Sequence, residues 1–124
     1  MIFVFGSNEA GRHGRGAAKV ALREHGAKNG HGIGRQGNSY AIPTKDRNLK
    51  VLKTKVIKEY VKDFLQYARE HPEEQFQITQ IGCGLAGFKP HQIAPMFQGA
   101  PENCLFDAAW VQFLPEGTLF WGSY

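Results

Sequence analysis

The residues best equipped for chemistry are glycines and cations, and they fall in three places. Phe5 to Ala18, Phe-Gly-Ser-Asn-Glu-Ala-Gly-Arg-His-Gly-Arg-Gly-Ala-Ala, joins an apolar run to a helix-forming one through Gly6, Gly11, Gly14 and Gly16. Glycines permit positive φ and let backbone approach a ligand with no Cβ in between. Free N–H groups at a helix start, with the positive end of the helix dipole, favour an anion, and Arg12 and Arg15 add charge beside them. Gly82-Cys83-Gly84-Leu85-Ala86-Gly87-Phe88 repeats the theme after a second apolar segment, and Thr44-Lys45 puts a cation behind a third.

Two familiar nucleotide loops are excluded by spacing. A dinucleotide-binding turn needs G-x-G-x-x-G, whereas the glycines at 11, 14 and 16 run G-x-x-G-x-G. A P-loop needs Lys-Ser/Thr after its last glycine, and Gly16 is followed by Ala17 and Ala18. No cofactor fingerprint therefore accompanies the glycines. A ligand-free surface loop is an equally ordinary use of such a stretch, so other segments must decide. Lys45 has a bland alternative as a solvated cation. Cys83 suits a small filler under a tight loop better than a nucleophile, because no histidine base stands beside it in sequence. Of the five histidines only His13 lies in a ligand loop, and a structural or solvent role is the default for all.

The elements that must hold these residues alternate. Ile2 to Phe5 is short, β-branched and aromatic, as in a strand buried on both faces, and Ala17 to His25 is a helix ended by Gly26. Ala27 to Gly37, rich in glycine and poor in anchoring hydrophobes, is expected to cross the surface as a loop placed to cap a pocket. Ser39 to Pro43 predicts a strand stopped by Pro43. The clearest helix runs from Thr54, as N-cap, to His71, with Val56, Ile57, Tyr60, Val61, Phe64, Leu65 and Ala68 at three- and four-residue steps. Phe76 to Ile81 alternates as a strand, Pro90 to Phe97 suits a short helix limited by Pro95, and at least one of the apolar runs in the tail should be a strand.

This order predicts an α/β protein, one domain over residues 1–124, with a mixed, mostly parallel sheet sandwiched between helices. In such sheets ligands collect at the carboxyl ends of strands. Two glycine loops and a lysine, each following a different strand, then converge on one crevice, which suits a ligand with more than one phosphate, or a phosphate plus ribose. That convergence decides against the empty-loop reading.

Composition agrees with these bounds. A chain of 124 residues, 42% hydrophobic, is large enough to bury a core without staples. Cys83 and Cys104 show no CxxC or Cys/His spacing, so neither a zinc site nor a secreted disulfide framework is expected. Met1 leads straight into Ile2 to Phe5 without the marks of a signal peptide, and no run reaches membrane-spanning length. A soluble, cytoplasmic protein is the expectation. A formal charge of +4 makes nucleic acid a partner to weigh, yet no helix-turn-helix, zinc-finger or aromatic RNA-binding signature accompanies it. Lys53, Lys55, Lys58 and Lys62 are explained as the solvated face of a helix.

On these residues the chain resembles the macrodomains, which bind ADP-ribose. Asn8 followed by Gly14, Gly16 and Ala17 is similar to their first ligand loop, and Ile81 to Gly87, Ile-Gly-Cys-Gly-Leu-Ala-Gly, is similar to the I-G-[TC]-G-x-x-G of their second. Ser39 to Lys45 resembles the strand and Thr-Lys pair of the branch that removes ADP-ribose through a lysine. Small phage and prophage proteins of unassigned role also look much like it. The resemblance implies a three-layer fold in which Asn8 holds the ribose distal to the adenine, Gly14, Arg15, Gly16 and Ala17 with Gly84, Leu85, Ala86 and Gly87 wrap the two phosphates, Phe88 shapes the ribose or adenine side, Thr44, Gly82 and Cys83 also contact the ligand, and Lys45 is the catalytic candidate for hydrolysis of an ADP-ribosyl linkage. Two positions depart from the pattern. No acidic residue follows Ile2 to Phe5 before Glu9, and Ala86 stands where one lysine-using subgroup carries aspartate. A non-catalytic sponge for a nucleotide signal and a nucleic-acid-binding accessory protein are the alternatives.

Overall fold

The computed structural model describes residues 1–123. Six strands, β1 (Ile2–Asn8), β2 (Gly34–Gln36), β3 (Ser39–Lys45), β4 (Phe76–Ile78), β5 (Cys104–Asp107) and β6 (Leu119–Gly122), form one sheet in the order β2-β3-β1-β4-β5-β6. Only β2 runs antiparallel to its neighbour; β3, β1, β4, β5 and β6 are parallel, so their carboxyl ends share one edge of the molecule.

The alternation of β1 divides the core. Phe3 and Phe5 face α1 (Gly16–Glu24) and pack with Ala18, Ala21 and Ala41, while Ile2 and Val4 face the opposite layer. That layer contains α2 (Thr54–Glu70), α3 (Pro90–Ile93) and two short 3₁₀ segments, Ala94–Phe97 and Ala108–Phe113. Both faces of β1 are therefore covered, as its unbroken apolar sequence requires. The buried stripe of α2 is Ile57, Val61, Phe64, Leu65 and Ala68. Leu65 is 4% exposed, and Leu65→Ala should lower unfolding free energy by about 2–5 kcal/mol, read from the shift of a urea unfolding curve.

Several local expectations are corrected. Pro43 does not stop its strand: β3 continues to Lys45, because β2 begins only at Gly34, opposite Ala41, and leaves the rest of β3 an edge where a missing N–H is tolerated. Lys53, not Thr54, is the N-cap of α2. β4 is shorter than Phe76 to Ile81, since the Thr79 amide and hydroxyl both donate to Val4 O and the Ile81 amide curls back to Thr79 O. Pro95 tightens the end of the Pro90 helix into 3₁₀ geometry. The expectation of at least one strand in the tail holds: the runs at 104 and 118 supply two, and Trp110 lies in a 3₁₀ segment that the Asp107 carboxylate caps by accepting from Ala109 N–H.

Burial also sets the alkaline limit of stability. The Cys104 thiol is pushed up to about 12 by burial, against an ordinary value of 9.0. Burial, with Asp63 and Tyr67 adding to it, takes the Tyr40 phenol from 10.0 to about 12. Between the unfolded and folded values the folded chain binds more protons than the unfolded one, so stability falls as pH rises. The urea midpoint should decline progressively above about pH 9 and more steeply above 10; a flat profile from pH 8 to 11 would show that these groups ionise freely in the fold.

Candidate functional site

The carboxyl ends of β1, β3, β4 and β5 open onto a cavity of about 630 Å³. Its walls bring together Asn8, Gly14, Arg15, Gly16 and Ala17 from the first loop, Thr44 and Lys45 from β3, and Gly82, Cys83, Gly84, Leu85 and Ala86 from the second loop. Gly87 and Phe88 are not among them. The Gly87 amide closes a turn onto Gly84 O, and Phe88 packs against the core, where it would meet a Cβ placed on Gly82. The expectation that Phe88 shapes the ligand side is corrected accordingly.

The first loop is held from behind. The Asn8 amide clasps the main chain of Arg12, its Oδ1 accepting the Arg12 N–H at 2.9 Å and its Nδ2 donating to Arg12 O at 2.9 Å. Asn8 thus acts chiefly as a clamp that shapes the loop, rather than as a free ribose ligand, with one Nδ2 proton left for the cavity. The Ala27 to Gly37 segment does not cap the pocket; it packs behind the loop and supplies β2. A Cβ on Gly32 would overlap Asn8 O, and one on Gly11, at φ +74°, would overlap the His31 amide. These glycines let two stretches of backbone touch. Ser7 Oγ donates to Gly32 O at 2.6 Å.

His13 lies inside this support, 1% exposed and edge-on to Phe5. Its Nε2 is 2.9 Å from His31 O and 3.2 Å from Gln36 Oε1. Both neighbours accept, because Gln36 Nε2 is occupied as a donor to His31 O, so Nε2 carries the proton. The structural role read for this histidine fits its position.

The start of α1 faces the cavity uncovered. Its N-cap, Arg15, makes no side-chain cap bond, its first turn holds no acid, and Gly16, Ala17 and Ala18 all line the wall. A Cβ placed on Gly14, beside that helix start, or on Gly84, across the cleft, would meet nothing within 4 Å. Leu85, 62% exposed, reaches toward Gly16, so the two loops approach each other over the opening. Lys45 is half-buried in the wall between them and, among the described residues, its ammonium has no ion pair or hydrogen bond. Arg12 and Arg15 share the cavity with it, whereas Arg35 is tied to Glu74 and Tyr67 elsewhere and Arg47 lies in an exposed turn.

Sequence reasoning did not single out Leu49, Thr79, Gln80 or Asp107, which also line the cavity. Leu49 is held at φ +63°, the left-handed region, in a turn that Asp46 closes by accepting the Asn48 and Lys50 amides; nothing in its residue type signals this. Asp107 was findable as the acid following the Cys104 to Phe106 run. Its carboxylate is fully buried and accepts from Ala109 N–H at 2.9 Å and Gln80 Nε2 at 3.2 Å. Burial pushes the Cys83 thiol up, with the Trp110 indole pulling weakly the other way, so it stays protonated and a poor nucleophile at neutral pH. Tyr60 donates to Glu9 and ties α2 to the base of the first loop; burial, then Glu9, takes its phenol to about 12.

Among the described residues no group of three or more His, Cys, Asp or Glu is placed to hold a metal ion, and no helix is long and apolar enough to cross a membrane. Fold and site together define an α/β protein with a cationic, glycine-walled cleft at the carboxyl ends of parallel strands. Comparison with family models, curated proteins and solved structures returned no match, so the functional reading rests on the cleft itself.

Proposed function

We propose that this macrodomain-like chain binds ADP-ribose, or a related NAD-derived nucleotide, in the cleft between its two glycine loops. The observation that carries the reading is the uncapped start of α1 facing Gly82 to Ala86 across a cavity of about 630 Å³, a volume within the usual range of about 300–1,000 Å³ for small-molecule sites. Backbone N–H groups on one wall, Arg12 and Arg15 at its rim and Lys45 beside it match a diphosphate. Gln80, half-buried in the wall, offers a hydrogen-bonding group to the rest of the ligand. A thermal-shift series tests this: ADP-ribose should stabilise the protein more than AMP or ribose 5-phosphate, because only the diphosphate spans both loops. Equal or absent shifts for all three would count against the cleft.

A second reading, hydrolysis of an ADP-ribosyl linkage, is favoured by one observation: the Lys45 ammonium stands in the cavity wall without a partner among the described residues. As a nucleophile, neutral Nζ would bond to the anomeric carbon of the ribose while the bond to the leaving group breaks, and water would then release the sugar. As a cation it would stabilise negative charge developing on the leaving group. With neither role, the protein is a sponge for a nucleotide signal.

A further inference from the structure

Leu49 holds a conformation that its residue type disfavours. At φ +63° it is the one non-glycine residue with positive φ among the described residues. The segment around it is a hairpin: the Lys45–Val51 bridge and the Leu52 amide on Thr44 O turn the chain back along the end of β3. Between Asp46 and Lys50 the Leu49 amide donates to Asp46 O at 3.1 Å and the Asp46 amide to Lys50 O at 2.7 Å. The Asp46 carboxylate accepts the Asn48 and Lys50 amides at 2.8 and 3.0 Å. This is the bond pattern of a type I turn followed by a left-handed residue, a place that suits glycine or asparagine. A leucine there sets its Cβ against a carbonyl oxygen.

Packing in the core does not offset that cost. Leu52, three residues on, joins the core, whereas Leu49 belongs to neither apolar cluster and is 42% exposed. What Leu49 does line is the cavity, together with Lys45. Strained residues persist where the surrounding bonds over-determine them, and they gather at ligand sites. In the sheet order β3 borders the cavity on one side and β5 on the other, and the first and second loops, which follow β1 and β4, come between. A diphosphate held between those loops extends one of its substituents toward Lys45 and Leu49. An apolar side chain beside an ammonium suits a sugar, which has a C–H face and hydroxyls around it.

We propose that Leu49 is the wall for the terminal ribose of the ligand, and that leucine is kept in a strained position because its side chain packs on the C–H face of that sugar and holds it against Lys45. This rests on the proposed nucleotide site and names the residue that would set its preference for ADP-ribose over ADP. The test measures calorimetric affinities for both nucleotides and a urea unfolding curve on Leu49→Gly and Leu49→Asn. Both replacements accept positive φ, so both variants should unfold at or above the wild-type midpoint. Both should bind ADP-ribose about tenfold more weakly, the order expected when the apolar surface of one leucine is no longer covered. The affinity for ADP, which keeps the adenosine and the diphosphate but lacks the sugar, should stay within about twofold. A protein at least as stable that binds one ligand less well is a combination that a merely structural leucine does not give.

Unchanged affinity for ADP-ribose in both variants overturns the proposal, and so does an equal loss for ADP, which would set Leu49 against the adenosine half. A lowered midpoint in both variants overturns it from the other side, since Leu49 would then serve the fold. Failure of the wild-type chain to bind either nucleotide is a different result: it removes the reading of the cleft, and with it the sugar that Leu49 was to hold.

Discussion

Gly84→Val should abolish nucleotide binding while the protein unfolds at nearly its wild-type midpoint. Gly84 is exposed, does not have positive φ, and a Cβ built on it meets nothing within 4 Å, so valine enters open space rather than the fold. That space is the cavity. A phosphate held away from the second loop loses charge-assisted N–H bonds worth about 1.5–3 kcal/mol each, and two of them amount to a loss of ~100-fold or more. Gly14→Val should act in the same way from the opposite wall, for the same reason of open space. Gly16 is a poorer probe, because its φ of +58° strains any side chain whether or not a ligand binds. Calorimetric affinity and a urea unfolding curve on each variant separate the two effects. Normal binding by both Gly84→Val and Gly14→Val would place the ligand elsewhere.

Lys45→Ala should cut turnover of an ADP-ribosylated substrate by ~10²–10³-fold if the cleft is catalytic, with a much smaller change in ligand affinity. The asymmetry is the point: a group that acts on the transition state lowers kcat, whereas a group that only binds phosphate raises Kd or KM. Lys45→Arg keeps the charge but not the nucleophile, so retained turnover assigns an electrostatic role and lost turnover a covalent one. Burial does not make the change a folding problem, since Lys45 is half-buried at the end of β3 and its side chain has no partner among the described residues to lose. A wild-type protein that binds ADP-ribose and releases none from nucleic-acid-, protein- or small-molecule-linked substrates is a sponge.

The sheet and its helices were legible because each element carried its own period. The apolar run of Ile2 to Phe5, the three- and four-step stripe of α2 and the alternation from Phe76 each declared a face, and alternating order made the sheet mostly parallel. Topology then brought the two loops and Lys45 to one cleft. What the sequence could not separate was one kind of glycine from another. Gly11 and Gly32 are required because two backbones touch and Gly16 because φ is positive, whereas nothing in the fold itself requires glycine at 14 or 84, where the space in front is open. In the chain all five look alike. The same blindness hid the inward turn of the Asn8 side chain onto Arg12, and Leu49, which reaches the cavity through tertiary placement alone; Asp107, at the carboxyl end of an apolar run, was within reach of the pattern.

The most direct measurement of the central claim is a calorimetric titration of the wild-type chain with ADP-ribose at low and at physiological salt. The cleft predicts saturable heat with one site per chain, retained at the higher salt because the phosphates sit against backbone N–H groups at a helix start, and lost in Gly84→Val. No saturable heat at either salt, or heat unchanged by Gly84→Val, would contradict it.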